Sequence, residues 1–187
     1  IFCSLYTDRG SHYWSTPEVG GKVDKKHLTQ FGRAMQQLGI ELIAAYSPEA
    51  RGRSERVFRT LQERLPKELK LENIKTLDEA NQFLKKVYIS RHNQRFSIKP
   101  KEEGSAFVPW LPGNLDLNDI LSIQEQRTVN NDNTISYKSR ILQIEKDKNR
   151  YSYAKTQVRI HEYIDKSMAI YYGVRCLGRY NCHGDIT

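Results

Sequence analysis

The hydrophobic period of this chain changes partway along, and that change limits its architecture more than any other feature. Before a stretch marked by Pro100, Pro109, Pro112 and Gly113, apolar residues recur at helical spacing. They fall at Leu28, Phe31, Met35 and Leu38, then at Phe58, Leu61 and Leu65, then at Leu77, Ala80, Leu84 and Val87. After that stretch they alternate or cluster as strands do: Ile135 and Tyr137, Leu142 and Ile144, Val158 and Ile160, and Ala169 to Tyr171. Asn130-Asn131-Asp132-Asn133 and Ile164-Asp165-Lys166-Ser167 supply turns between them. Two modules are therefore expected: residues 1–98 with a trailing helix, a linker over 99–119, an all-β unit over 120–181, and a short tail over 182–187. Several short strands in so few residues suit a small barrel or sandwich.

Within the first module the pattern reads strand, helix, strand, helix, an α/β arrangement. Ile1 to Thr7 favours a strand that ends at Asp8-Arg9-Gly10, and Ser15 to Lys26, with Pro17 and Gly20-Gly21, reads as a loop. Gly39 stops the first helix, Ile40 to Tyr46 is expected as a buried strand, and Ser47-Pro48 breaks it. A basic helix follows from about Gly52 to Leu65. Thr76-Leu77-Asp78-Glu79 is a capping box, in which the Thr oxygen accepts an orphan amide and Glu79 reaches back, so the next helix should run to about Arg91.

Composition narrows the function classes. With 187 residues and 38% of them hydrophobic, the chain can bury a core, which argues against general disorder. Its longest mostly apolar stretch, Ile40 to Tyr46, contains Glu41 and is far too short to span a bilayer, so no membrane role is expected, nor a secretory leader. Three cysteines without a Cys-x-x-Cys pair argue against a disulfide framework and for a reducing cytoplasm. The net charge of +8 suits a polyanionic partner, and most of the excess lies before Gly113. The five histidines show no paired metal spacing, and Cys182-His183 is too little for zinc.

Two carboxylates stand out. Asp8 lies where a strand ends and a Gly-containing turn begins, a place from which a side chain can project beyond a sheet edge. The same position also suits an Asp that merely caps the turn. Glu55 lies in the first turns of the basic helix, where the macrodipole favours an acid and where Arg59 is in range for an i,i+4 pair. Around it, Arg51, Arg53, Arg56, Arg59 and Arg64 supply five arginines and no lysine. Guanidinium forks match phosphate geometry, so phosphate contact competes here with a solvated helix face.

Taken in order, Tyr6-Thr7-Asp8-Arg9-Gly10-Ser11, the strand Gly39 to Tyr46, and Ser47-Pro48-Glu49-Ala50-Arg51-Gly52-Arg53-Ser54-Glu55-Arg56 resemble the catalytic core of DDE transposases and retroviral-type integrases. The likeness runs from about Leu5 to Tyr180, and within that superfamily the chain is most similar to the ISNCY group of bacterial insertion-sequence transposases. It implies a partial ribonuclease-H-like core followed by an SH3-like barrel. It also implies Asp8 and Glu55 as the second and third acids of the triad, each holding one of two Mg²⁺ (or Mn²⁺) ions. The activity implied is nicking at transposon ends and attack of the freed 3′-hydroxyl on target DNA. Two such ions stabilise the attacking and leaving oxygens of a phosphodiester. Arg9 and His12 depart from the Asn and Glu of the commonest integrase pattern.

By the same resemblance, Arg51, Arg53, Arg56 and Arg59 would contact DNA phosphates, and Lys138, Arg140 and Arg159 of the β-module would help to grip DNA. The tyrosines around the latter suit a small β-core equally well. The triad's first Asp should precede the Thr-Asp motif, but only residues 1–7 do so here and none is acidic. The expectation is a carboxyl-terminal piece of a cytoplasmic, DNA-associated transposase, working as a homo-oligomer when intact and inactive alone. A non-catalytic DNA-binding or assembly module and a ribonuclease-H-like nuclease remain as alternatives.

Overall fold

Two short parallel strands with one helix between them begin the fold in a computed structural model, which describes all residues except 19–20, 48, 112, 114–115 and 147–149. Gly20, Pro48 and Pro112, which the sequence marks as loop, break and linker, lie outside the described residues. Strand β1 (Ser4–Thr7) pairs in parallel with β2 (Glu41–Ala44), from Ser4↔Glu41 to Thr7↔Ala44. Helix α1 (Gln30–Gln37) makes the crossover.

Local chemistry sets both ends of α1. Thr29 Oγ1 accepts from Gly32 N at 3.0 Å. At the other end Gly39 takes a φ of +73°, and the amides of Gly39 and Ile40 donate back to Gln36 O and Met35 O. That left-handed closure suits a residue without Cβ. One face of the strand pair packs on α1, where Leu5, Phe31 and Leu42 surround Ala34, Met35 and Ile40. The other face carries Tyr6, more than half exposed. Thus β2, expected as a buried strand, is covered on one side only, because a single helix shields the pair.

Helix α2 (Gly52–Leu71) continues well beyond its expected end at Leu65 and passes through Pro66. Proline in a helix interior removes a donor and is normally costly. The true stop is Asn73, whose φ of +55° lets Asn73 N and Ile74 N donate to Lys70 O and Leu69 O. Both halves of the capping box form at α3 (Leu77–Phe83): Glu79 N donates to Thr76 Oγ1, and Glu79 Oε2 accepts from Thr76 N. A π-helical stretch over Leu84–Tyr88 links α3 to α4 (Ile89–Phe96), so the helical run extends past Arg91.

Several residues of the expected linker pack against the strand–helix–strand unit. Val108 N donates to Ile1 O at 2.8 Å, Trp110 packs on the α1 core, and a short helix α5 (Leu117–Leu121) places Ile120 in that same core. Beyond it come β3 (Ile123–Thr128), β4 (Thr134–Tyr137), β5 (Arg140–Gln143), β6 (Gln157–Glu162), β7 (Met168–Tyr172) and β8 (Arg175–Tyr180). One antiparallel sheet has the order β3-β6-β7-β8, and β4-β5 forms a separate hairpin. They share a core of Ile135, Tyr137, Leu142, Ile144, Val158, Ile160, Met168 and Ile170, with Tyr153 and Tyr180 equally buried.

Beyond α5 the described residues therefore form a four-stranded sheet and a hairpin over one core, with no closed barrel among them. Of the tyrosines weighed as DNA contacts, Tyr137, Tyr153 and Tyr180 are core residues, while Tyr151 is exposed. The three cysteines are free, and no helix among the described residues is long and apolar enough to cross a membrane.

Candidate functional site

Asp8 sits just past the carboxyl end of β1, half-buried, with both carboxylate oxygens engaged. Oδ1 accepts from Gly10 N at 3.0 Å and Oδ2 from Arg51 Nη1 at 2.6 Å. A Cβ at Gly10 would lie 2.9 Å from both Asp8 Oδ1 and the His12 ring, so a larger residue there would push these two side chains aside. Around the turn, Trp14 Nε1 donates to Thr7 Oγ1 at 2.8 Å, and Arg9 donates to Gly21 O at 2.9 Å while lying over the Tyr46 ring. Thus the turn is fixed from both sides, and the loop that follows is drawn back over it.

The Arg51–Asp8 pair fastens the start of α2 to the end of β1. Arg51, weighed as a phosphate contact, is therefore already spent on a carboxylate. One turn further on, Glu55 is exposed and enters no ion pair among the described residues. Its expected partner Arg59 bonds instead to Glu63, at 3.1 Å. Arg53, Arg56 and Arg59 all face solvent, leaving a basic stripe on the first turns of α2. An exposed pair such as Arg59–Glu63 is easily exchanged for another anion.

The donor set does not by itself fit a metal pair. Among the described residues no group of three or more His, Cys, Asp or Glu side chains could hold an ion, and the Asp8 oxygens already serve an amide and a guanidinium. A divalent ion such as Mg²⁺ takes several oxygen ligands in strict geometry. Seating one on Asp8 requires the release of Arg51 and further oxygen donors.

In the β-module, Lys138 bonds to the buried Glu162, which also accepts from Tyr137 Oη at 2.8 Å. Burial works to raise the Glu162 pKa, but the bonds from Lys138 and Tyr137 outweigh it and hold the carboxyl below its ordinary value. Burial and then Glu162 push the Tyr137 phenol up to about 12. Lys138 thus anchors the β4-β5 turn. Arg140 is half-buried beside it, and Arg159 is exposed on β6. The structure does not bring these three into one patch with the α2 stripe by any contact among the described residues.

Sequence reasoning missed a polar cluster that joins the modules. The Asp119 carboxylate of α5 accepts from Tyr163 Oη at 2.5 Å and Tyr171 Oη at 3.1 Å, and meets His161 Nδ1 at 3.1 Å. Burial works to raise the Asp119 pKa, yet these bonds keep it below the usual range. His161 is pushed down by burial, against the pull of Asp119 and with help from Arg159 and Arg33. Arg33 of α1 donates to Ile120 O and Ser122 O, and Gln30 exchanges two bonds with the Gln124 backbone. Asp119, Tyr163 and Tyr171 are far apart along the chain, so no local spacing announces them.

Known proteins give a consistent comparison. Over 138 residues the chain is 37% identical to y4bF of Sinorhizobium fredii strain NGR234, which is named as a transposase; that covers 74% of the chain and 30% of y4bF. Over 162 residues it is 36% identical to the transposase for insertion sequence IS1202 of Streptococcus pneumoniae, covering 86% of the chain and 34% of that protein. The chain thus spans about a third of the length of these curated relatives. No family model matches it.

Proposed function

We propose that this chain is a DNA-engaging portion of an insertion-sequence transposase. The observation that carries the reading is its likeness to two transposases over most of its own length. For the whole protein we propose DNA transposition by phosphodiester cleavage and strand transfer on a ribonuclease-H-like core, within a homo-oligomer on DNA. Asp8 and Glu55 are the carboxylates this chain supplies, and Mg²⁺ or Mn²⁺ belongs to the completed site, with Arg51 released from Asp8.

Within the chain, the supportable chemistry is phosphate engagement by Arg53, Arg56 and Arg59. Each phosphate neutralised releases counterions, so binding of this kind weakens steeply with salt. The 187-residue chain should bind duplex DNA at low salt, and Arg53→Gln with Arg56→Gln should weaken binding across sequences. Each lost phosphate contact should flatten the slope of log affinity against log salt by about 0.9. Affinity that is the same in the double variant at every salt concentration would remove α2 from the interface. The chain alone should yield no end-specific strand-transfer product with Mg²⁺ or Mn²⁺, because among the described residues no group of three or more metal-ligating side chains comes together. Such a product would overturn that statement.

A further inference from the structure

The basic stripe on the first turns of α2 leaves a second group of arginines unexplained. Helices α2 and α4 run antiparallel, with Arg91 near Glu72 at one end of the contact and Arg64 over the Phe96 ring at the other. Between them lies a pocket of about 250 Å³ lined by Arg64, Arg91 and Arg95, with Glu68 on one wall and Tyr88, His92 and Phe96 on another. Arg64 reaches Glu68 at 3.4 Å and Arg91 reaches Glu72 only at 3.9 Å. Arg95 has no acidic partner among the described residues; it lies over the Phe96 ring at 5.5 Å. Three guanidinium groups therefore face two carboxylates, and their donors are far from used up.

The second observation is Tyr88. Its side chain lines this pocket and is 3% exposed, yet its hydroxyl has no hydrogen-bond partner among the described residues. A buried polar atom left unpaired costs free energy, so such atoms are rare in native proteins. Tyr88 ends the π-helical stretch, and turns of that kind recur at functional sites. Successive rings of Phe83, Tyr88, His92 and Phe96 then hold the wall in place, with centroids 6.2, 5.8 and 4.8 Å apart.

We propose that the pocket between α2 and α4 binds a phosphate group. Arg64, Arg91 and Arg95 supply the charge, and the Tyr88 hydroxyl donates the directional bond. An oxyanion satisfies both surplus guanidinium donors and the unpaired phenol, whereas a cation or a neutral apolar ligand satisfies neither. Following the DNA-engaging reading above, on which this assignment of source rests, the phosphate belongs to a nucleic-acid backbone. A free phosphate compound offers the same chemistry, and the experiment separates the two.

The full 187-residue chain is titrated with inorganic phosphate while the side-chain Nε–H resonances of its arginines are followed by NMR. Arg64, Arg91 and Arg95 should shift together. Arg95→Gln should weaken phosphate by about tenfold, the size expected for one charge-assisted bond. Tyr88→Phe should also weaken it while leaving the melting temperature equal or higher, since the variant removes only an unpaired hydroxyl. A purely structural Tyr88 would leave phosphate affinity untouched. Duplex DNA titrated over a range of salt gives the second arm: Arg95→Gln should lower affinity and reduce the salt slope by about 0.9. Phosphate binding with unchanged DNA affinity and slope would uphold the site and overturn the nucleic acid as its source. No phosphate-dependent shift at these arginines, or equal affinity in both variants, would overturn the site itself. A wild-type chain that binds phosphate but no DNA would instead sink the reading under Proposed function.

Discussion

At the scale of single residues, the candidate site is governed by which partner each charge takes. Asp8 is held by the Gly10 amide and the Arg51 guanidinium, so its position depends on a glycine and an arginine on different elements. Gly10→Ala should displace the carboxylate, since the new methyl would contact both Asp8 Oδ1 and the His12 ring. The amide resonances of residues 8–12 should move, with α1 unaffected. Arg51→Gln should free Asp8 and increase paramagnetic broadening by Mn²⁺ at the Asp8 turn; equal broadening in both proteins would mean that Arg51 does not control access to it. Lys138 is a second case. It adopts a φ of +44° in the two-residue β4-β5 turn and bonds to buried Glu162. Lys138→Gly relieves the backbone but leaves Glu162 short of a partner, which costs about 1–3 kcal/mol. A net fall in stability, read by denaturant melts, would show that the ion pair outweighs the strained turn.

Elements show where sequence patterns suffice and where they mislead. The capping box at Thr76 and Glu79 and the glycine stop at Gly39 form as read, because each involves residues no more than a few positions apart. Pro66 misleads for the opposite reason. The helix tolerates it because residues on both sides, Leu61 and Leu65 before it and Glu68 and Glu72 after it, face α4 or the turn that leads into it. Pro66→Ala should therefore raise stability, by up to about 3 kcal/mol if the restored amide bonds normally. A lower melting temperature would show that the proline shapes the helix to its neighbour. Strand β3 was illegible because Ile123-Gln124-Glu125-Gln126-Arg127-Thr128 has one apolar residue and pairs only through its backbone, along β6 at the sheet edge.

Across the whole molecule, the two modules are tied together by α5. Its Ile120 enters the α1 core while its Asp119 is bound by the β6-β7 side of the sheet. This junction should be acid-sensitive. The folded pKa of His161 lies below 6.5 and that of Asp119 below 3.8, so in both cases the unfolded chain takes up protons first as pH falls. Stability is then complete above each ordinary value and lost beneath it, through His161 below pH 6.5 and through Asp119 only in stronger acid. The charges of Arg33 and Arg159 lower the folded pKa of His161 further and so enlarge the first loss. Melting temperatures should drop between pH 7 and 5, and His161→Gln should flatten that drop while leaving the acid limb. A wild-type profile flat over that interval would remove His161 as its cause.

From the sequence alone came the change from helical to strand periodicity, the strand–helix–strand start, the capped helices and the apolar residues of the β-core. All of these rest on periodicity or on caps, which are written in neighbouring residues. The structure alone decided that Arg51 holds Asp8, that Lys138 holds Glu162, that Asp119 joins the modules, and that Arg95 and Tyr88 share a pocket. Charges and hydroxyls carry no periodic signature, and their partners are chosen by proximity that the chain creates only after its cores have formed.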